Sequence, residues 1–245
     1  MLINLNSRLK VEALCVGILC LVLLLVSMLE ADEIRKLEAD FNGDGRKEIT
    51  SLVREINPKL STEKNKFGRE RLEIYYKDSK ESPIFASQWF DYIDREEVIK
   101  AGGTIELVDR GKLPPAIAYI HTYTGVGSGG EIYKQKYYLY GWNETSYSLL
   151  FEEEIHNREE IYARYYTDEW QPGSYKEIIK QLDFVDLDKD GVKDIVVGTK
   201  QYEVPILQKT PNSKKIEIPE RPSIKFLTKE KIDKFYWKEK NYLKK

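Results

Sequence analysis

Cysteine is nearly absent: the 245 residues hold two, Cys15 and Cys20. Both fall inside one apolar stretch near the amino end. No disulfide can therefore staple the rest of the chain, and its stability has to come from a packed core and bound ions. Each cysteine follows a leucine, the wrong neighbour for a lipidated cysteine, which argues against a lipoprotein. Histidine is as scarce. His121 and His156 are the only two, and neither stands in a zinc spacing or beside a nucleophile motif, so hydrolytic catalysis has no visible support. Charge of one sign is also lacking. The 39 basic side chains nearly cancel 41 acidic ones, leaving −2, and no global field draws the chain onto nucleic acid. Long helical patterns are missing too; only Asp91 to Ala101 and Asn157 to Tyr166 read as short helices.

What the chain does have is apolar material. Hydrophobic residues make up 41%, and the 17 tyrosines contribute to an aromatic share of 12%, enough for a real core despite the high charge. One long apolar run occurs, Ala13 to Leu29, behind Arg8 and Lys10, and such a pattern directs export. Residues 1–31 are expected to be a signal peptide or a signal anchor. Leu29 stands where cleavage after Ala31 would prefer a small residue, and the run is at the lower limit for spanning a bilayer. Either outcome places residues 32–245 outside the cytoplasm, whether secreted, periplasmic or anchored. Membrane contact would come only through this segment.

Beyond Leu37, runs rich in tyrosine and β-branched residues recur between turn signals. They are Ile49–Ile56, Leu72–Tyr76, Thr104–Val108, Ala116–Tyr123, Tyr137–Trp142, Tyr147–Phe151 and Asp194–Val197, and they read as strands. Ser61 to Arg71 is polar enough to read as a loop. Pro205, Pro211, Pro219 and Pro222 make the stretch before the last strands a poor site for regular structure. The expected fold class is mainly β, following an N-terminal hydrophobic helix.

Two segments carry the chemistry. Asp40 to Glu48 places oxygen side chains at loop positions 1, 3, 5 and 9, namely Asp40, Asn42, Asp44 and Glu48. A loop wrapped around an ion turns every second side chain inward, so these oxygens can converge on one point. Position 7 would add its backbone carbonyl, from Arg46, and Gly45 permits the sharp bend. Asp186 to Asp194 repeats the arrangement with Asp186, Asp188, Asp190, the carbonyl of Val192, and Asp194. Calcium, which takes six to eight hard oxygens, is the expected ion; magnesium favours fewer protein ligands and retains its water. A helix-loop-helix site would need a carboxylate at position 12, where Ser51 and Val197 stand instead.

A closing carboxylate at position nine followed by an apolar strand resembles the FG-GAP and VCBS repeats of integrin-like β-propellers and bacterial surface proteins. The residues that carry it are Asp40 to Ile49 and Asp186 to Ile195. The resemblance implies bladed antiparallel sheets, calcium held mainly for structure, and adhesion or ligand binding at the outer surface. A weak internal repeat accompanies it. Trp142 to Tyr147 and Trp237 to Tyr242 share an aromatic pair at the same spacing, with Glu144 and Glu239 at the same place, and both read as strand, turn, strand. Val108 to Ile117 looks like a decayed copy of Asp186 to Ile195. The expectation is about three degenerate blade-like units, near 37–95, 100–155 and 180–245, in an open or incomplete assembly, since a closed propeller takes four or more blades.

Other features are blander. Gly125 to Gly130 lacks the lysine and following helix of a phosphate cradle and reads as a hairpin tip, though with His121, Tyr123 and Glu131 it could line a ligand site. Asn143 to Thr145 matches a glycosylation acceptor but falls where a turn is expected. The functional expectation is a non-enzymatic, calcium-stabilised module at the cell envelope, with an extracellular protein or glycan as a possible ligand. The alternative is a secreted hydrolase or carbohydrate-active enzyme built on Gly125–Glu131 and the carboxylates Glu152 to Glu154.

Overall fold

Successive strands pair with their sequence neighbours almost throughout, so the fold is an antiparallel meander. The computed structural model describes residues 36–78, 82–96, 98–127, 129–161, 164–166, 169–171, 174–204 and 226–244. Its first strands are β1 (Leu37–Ala39), β2 (Glu48–Ile56), β3 (Asn65–Tyr76), β4 (Phe85–Ala86) and β5 (Phe90–Arg95). The centre is formed by β6 (Ile99–Arg110), β7 (Leu113–Gly127), β8 (Gly130–Trp142) and β9 (Tyr147–Ile161). A separate hairpin of β10 (Arg164–Tyr166) and β11 (Glu169–Gln171) precedes β12 (Ser174–Val185), β13 (Asp194–Val204), β14 (Phe226–Lys238) and β15 (Asn241–Lys244). Apart from that hairpin all belong to one 13-stranded sheet, in sequence order, with β4 added beside β3. No helix occurs among the described residues.

The mainly β expectation holds, and each expected strand lies within an observed one. The observed strands are longer, because a meander gives most of them a partner on both edges. Three expectations are corrected. Ser61–Arg71 is a strand from Asn65 onward, paired with β5 on one side and with β2 on the other, where Arg69 meets Glu55 of β2 across the ladder at 2.7 Å. Asp91–Ala101 is a hairpin rather than a helix: Phe90 and Tyr92 are buried alternately, and Glu96 takes a left-handed φ of 39° at the bend. Asn157 to Ile161 simply continues β9, flanked by β8 and β12, which overrides its local charge pattern. The blade-like units are not separate either. β5 pairs with β6 and β9 with β12, so the sheet runs across the expected boundaries. The N-terminal hydrophobic segment and the four prolines from Pro205 to Pro222 lie outside the described residues.

β7 and β8 are buried on both faces at their centres, Ala116–Tyr119 and Tyr137–Tyr140. On one face Ala116, Ala118, Tyr137 and Leu139 pack with Leu150, Phe151, Ile195, Val197 and Tyr242. On the other, Tyr119 and Tyr138 meet Phe90 at 4.6 and 4.8 Å between ring centres. The sheet coils far enough for Tyr119 Oη to donate to Glu70 Oε1 at 2.8 Å, although β5 and β6 separate β7 from β3 in the ladder. Glu70 is fully buried and also accepts Arg54 Nε at 2.8 Å.

Burial raises the hydroxyls of Tyr119, Tyr137, Tyr140 and Tyr147 well above the ordinary tyrosine range. Tyr75 is pushed up to about 12 by burial and by the hydrogen bond it gives Glu73. An acid whose folded pKa is raised favours the folded state below its unfolded pKa, about 10 for tyrosine, and that contribution is lost as pH climbs through the folded value. Phenolate absorbance on alkaline titration should therefore rise late, with these buried hydroxyls ionising only together with unfolding above about pH 11. A single smooth rise centred at 10 with the fold intact would contradict the buried set.

Candidate metal loops

Each loop is built from short-range hydrogen bonds that its own residues dictate. In the first, Asp40 Oδ1 accepts Gly43 N–H at 2.7 Å and Asp40 Oδ2 accepts Gly45 N–H at 2.9 Å. Asp44 Oδ1 accepts Arg46 N–H at 2.8 Å, and Glu48 Oε2 accepts Phe41 N–H at 2.7 Å. In the second, Asp186 Oδ2 accepts Gly191 N–H at 3.0 Å, Asp190 Oδ1 accepts Val192 N–H at 2.7 Å, and Asp194 Oδ2 accepts Leu187 N–H at 3.1 Å. The same three links recur: position 1 to 6, position 5 to 7, position 9 to 2. Positions 4 and 6 are left-handed in both, at φ 76° and 85° for Gly43 and Gly45 and 65° and 91° for Lys189 and Gly191. Gly45 and Gly191 are thus at the bend that needs glycine. The closing carboxylate is the first residue of β2 in one case and of β13 in the other.

This skeleton gathers carboxylates. Oxygens of Asp40, Asp44 and Glu48 lie within 4.8 Å of one another, and so do those of Asp186, Asp188 and Asp190. Such spacing and purely oxygen donors suit a hard divalent cation. Asn42 sits in the first loop with its Oδ1 on Asp44 N–H at 2.9 Å. Asp194 is not among the second cluster; its Oδ1 accepts Trp237 N–H at 3.1 Å and its Oδ2 accepts Leu187 N–H. The Arg46 side chain turns to Asp44 Oδ2 at 2.9 Å and lies over the Tyr76 ring, while Val192 bridges to Gly111.

The electrostatics of the first loop follow from burial. Arg46 holds the Asp44 carboxyl below the usual range. Glu48 is fully buried, and its pKa is raised by that burial, with Phe41 N–H opposing and the charges of Asp44 and Asp40 adding. The Tyr147 hydroxyl stands against Glu48, yet the two fall short of hydrogen-bond geometry: Glu48 Oε1 and Tyr147 Oη are both buried without a partner.

Sequence reasoning missed what surrounds the loops. The first lies beside Pro114, and the second docks on the β6–β7 turn. There Lys112 N–H donates to Gly191 C=O at 2.9 Å, Lys193 N–H to Arg110 C=O at 3.1 Å, and Lys112 Nζ to Asp190 C=O at 2.8 Å. A side chain at Gly111, φ 76°, would collide with the Gly191 carbonyl. The segment read as a decayed copy of the second loop thus forms its seat. Arg110, fully buried, stacks over Trp237 at 4.4 Å and donates to Trp142 C=O at 3.1 Å. The repeated aromatic pair is the one signal that could have pointed here. Trp142 and Tyr147 face each other across a hairpin at 5.2 Å and 71°, and Trp237 and Tyr242 do so at 5.1 Å and 66°.

The remaining candidates are dispersed. A hollow of about 300 Å³ at the Gly125–Gly130 tip is lined by Tyr123, Glu131, Glu159 and Glu160, among others, but not by Glu152 to Glu154. Glu152 and Glu153 pair with Lys136 and Lys180, and Glu154 accepts Asn157 Nδ2. His121 contacts the Asp91 carbonyl, and His156 contacts Glu177. Asn143 holds a turn, its Oδ1 accepting Ser146 N–H at 3.0 Å.

Fold and site together define an antiparallel β-meander protein with paired acidic loops. Compared with family models, curated proteins and solved structures, the chain matches none.

Proposed function

We propose that this chain is an exported β protein stabilised by calcium, with a non-enzymatic binding or structural role at the cell envelope. The observation that carries the reading is the recurrence of one hydrogen-bond skeleton and one left-handed backbone pattern in two acidic loops, each opening directly into a strand. The loops and their strands resemble FG-GAP and VCBS repeats at that level alone; the continuous meander is not bladed. An extracellular setting suits the chemistry, because plentiful calcium there can fill weak sites. The uncharged run behind Arg8 and Lys10 supplies the export signal, and an exposed protein or glycan is the ligand class such a surface would take.

Two measurements test the reading. Calorimetric titration of the full-length chain in mild detergent with calcium should show saturable binding that a chelator reverses. A flat isotherm at millimolar calcium would remove the metal from the account. A carboxy-terminal alkaline phosphatase fusion in a bacterial host should be active, since that reporter folds only outside the cytoplasm; an inactive, well-expressed fusion would remove the export.

A further inference from the structure

The two loops share a backbone but differ in what they leave unsatisfied. In the second, both Asp194 oxygens accept backbone N–H groups, from Leu187 and Trp237. The Tyr242 hydroxyl donates to Lys193 C=O at 3.0 Å, and the Lys112 ammonium sits on the Asp190 carbonyl. Its one unpartnered buried oxygen, Asp186 Oδ1, belongs to a half-buried residue. In the first loop the corresponding groups are only half engaged: Glu48 Oε2 accepts Phe41 N–H at 2.7 Å, and the other oxygen does not find a partner. Glu48 is fully buried, keeps Oε1 without a partner, and has a carboxylate oxygen within 4.8 Å of those of Asp40 and Asp44; the adjacent Tyr147 hydroxyl is unpartnered as well. A fully buried carboxylate that keeps one oxygen unpartnered beside two further carboxylates is a configuration that a cation completes.

We infer that the loops are not equivalent: the first is the cation-dependent site, with Glu48 as its buried ligand, and the second is a largely self-satisfied replica held by Lys112, Asp194 and the β6–β7 turn. The inference rests on the calcium reading above. The first loop binds calcium at least about tenfold more tightly, because its closing carboxylate is buried and reaches the cluster, whereas the second loop, although it carries four carboxylates to the first loop's three, has Asp194 engaged elsewhere. Its ion also clamps β2, the strand that Glu48 begins.

The full-length protein in mild detergent is titrated with calcium as wild type, Glu48→Gln and Asp190→Asn. The glutamine amide keeps an acceptor for Phe41 N–H, so Glu48→Gln removes charge and preserves the loop's hydrogen bond. The expected result is one tight event, lost in Glu48→Gln and unmoved in Asp190→Asn. In wild-type hydrogen exchange, calcium should slow the amides of Glu48–Ile56 far more than those of Asp194–Val204. Two events of equal affinity, a tight event lost only in Asp190→Asn, or equal protection of both strands would overturn the inference and leave the calcium reading standing. Absence of any binding would overturn both.

Discussion

Replacing Glu70 with alanine should lower the free energy of unfolding by about 1–3 kcal/mol, the cost of leaving a buried hydrogen-bonding group without its partner. Glu70 is fully buried and joins Arg54 on β2 to Tyr119 on β7. Its loss leaves the Tyr119 hydroxyl without its acceptor and opens a void between β3 and β7. Glu70→Gln keeps an acceptor for one of the two donors and should cost less. Denaturant melts of the three proteins decide the matter. Equal stability of wild type and Glu70→Ala would mean that the contact between β3 and β7 does not hold the coil together.

Calcium withdrawal is the second large effect. A ligand that binds only the folded state adds RT ln(1 + [L]/Kd), about 2.7 kcal/mol when the free ion is a hundredfold above Kd. For a chain of this size each kcal/mol moves the melting temperature by about 2–4 °C. Scanning calorimetry with calcium and then with excess chelator should therefore differ by about 5–10 °C. The Asp44 and Asp40 charges that raise Glu48 would then face one another unshielded, loosening the start of β2. A melting temperature indifferent to the chelator would speak against ion-dependent stability.

The loops were legible because everything that shapes them is local. The carboxylates at positions 1, 5 and 9 reach backbone N–H groups within the same nine residues, and glycine at position 6 marks the bend. Lys189, left-handed where the first loop has Gly43, carried no such mark. Strand existence was legible from tyrosine and β-branched runs, whereas strand length was not. Asn65–Arg71 and Asn157–Ile161 are charged segments that become strands because neighbours flank them on both edges. The Trp–Tyr spacing did announce two matching hairpins, but not that one would bring Tyr147 to Glu48 and the other would set Trp237 on Asp194.

The chain's order of residues alone determined a β protein without disulfides, with two acidic turns that each launch a strand, because those features depend on alternation and on contacts a few residues long. Only the folded sheet decided that the strands form one coiled meander instead of separate units, and that the two turns differ. Burial, and contacts between residues far apart in sequence, leave Glu48 with an open oxygen and close both oxygens of Asp194. Neither influence is written in the nine residues of either loop.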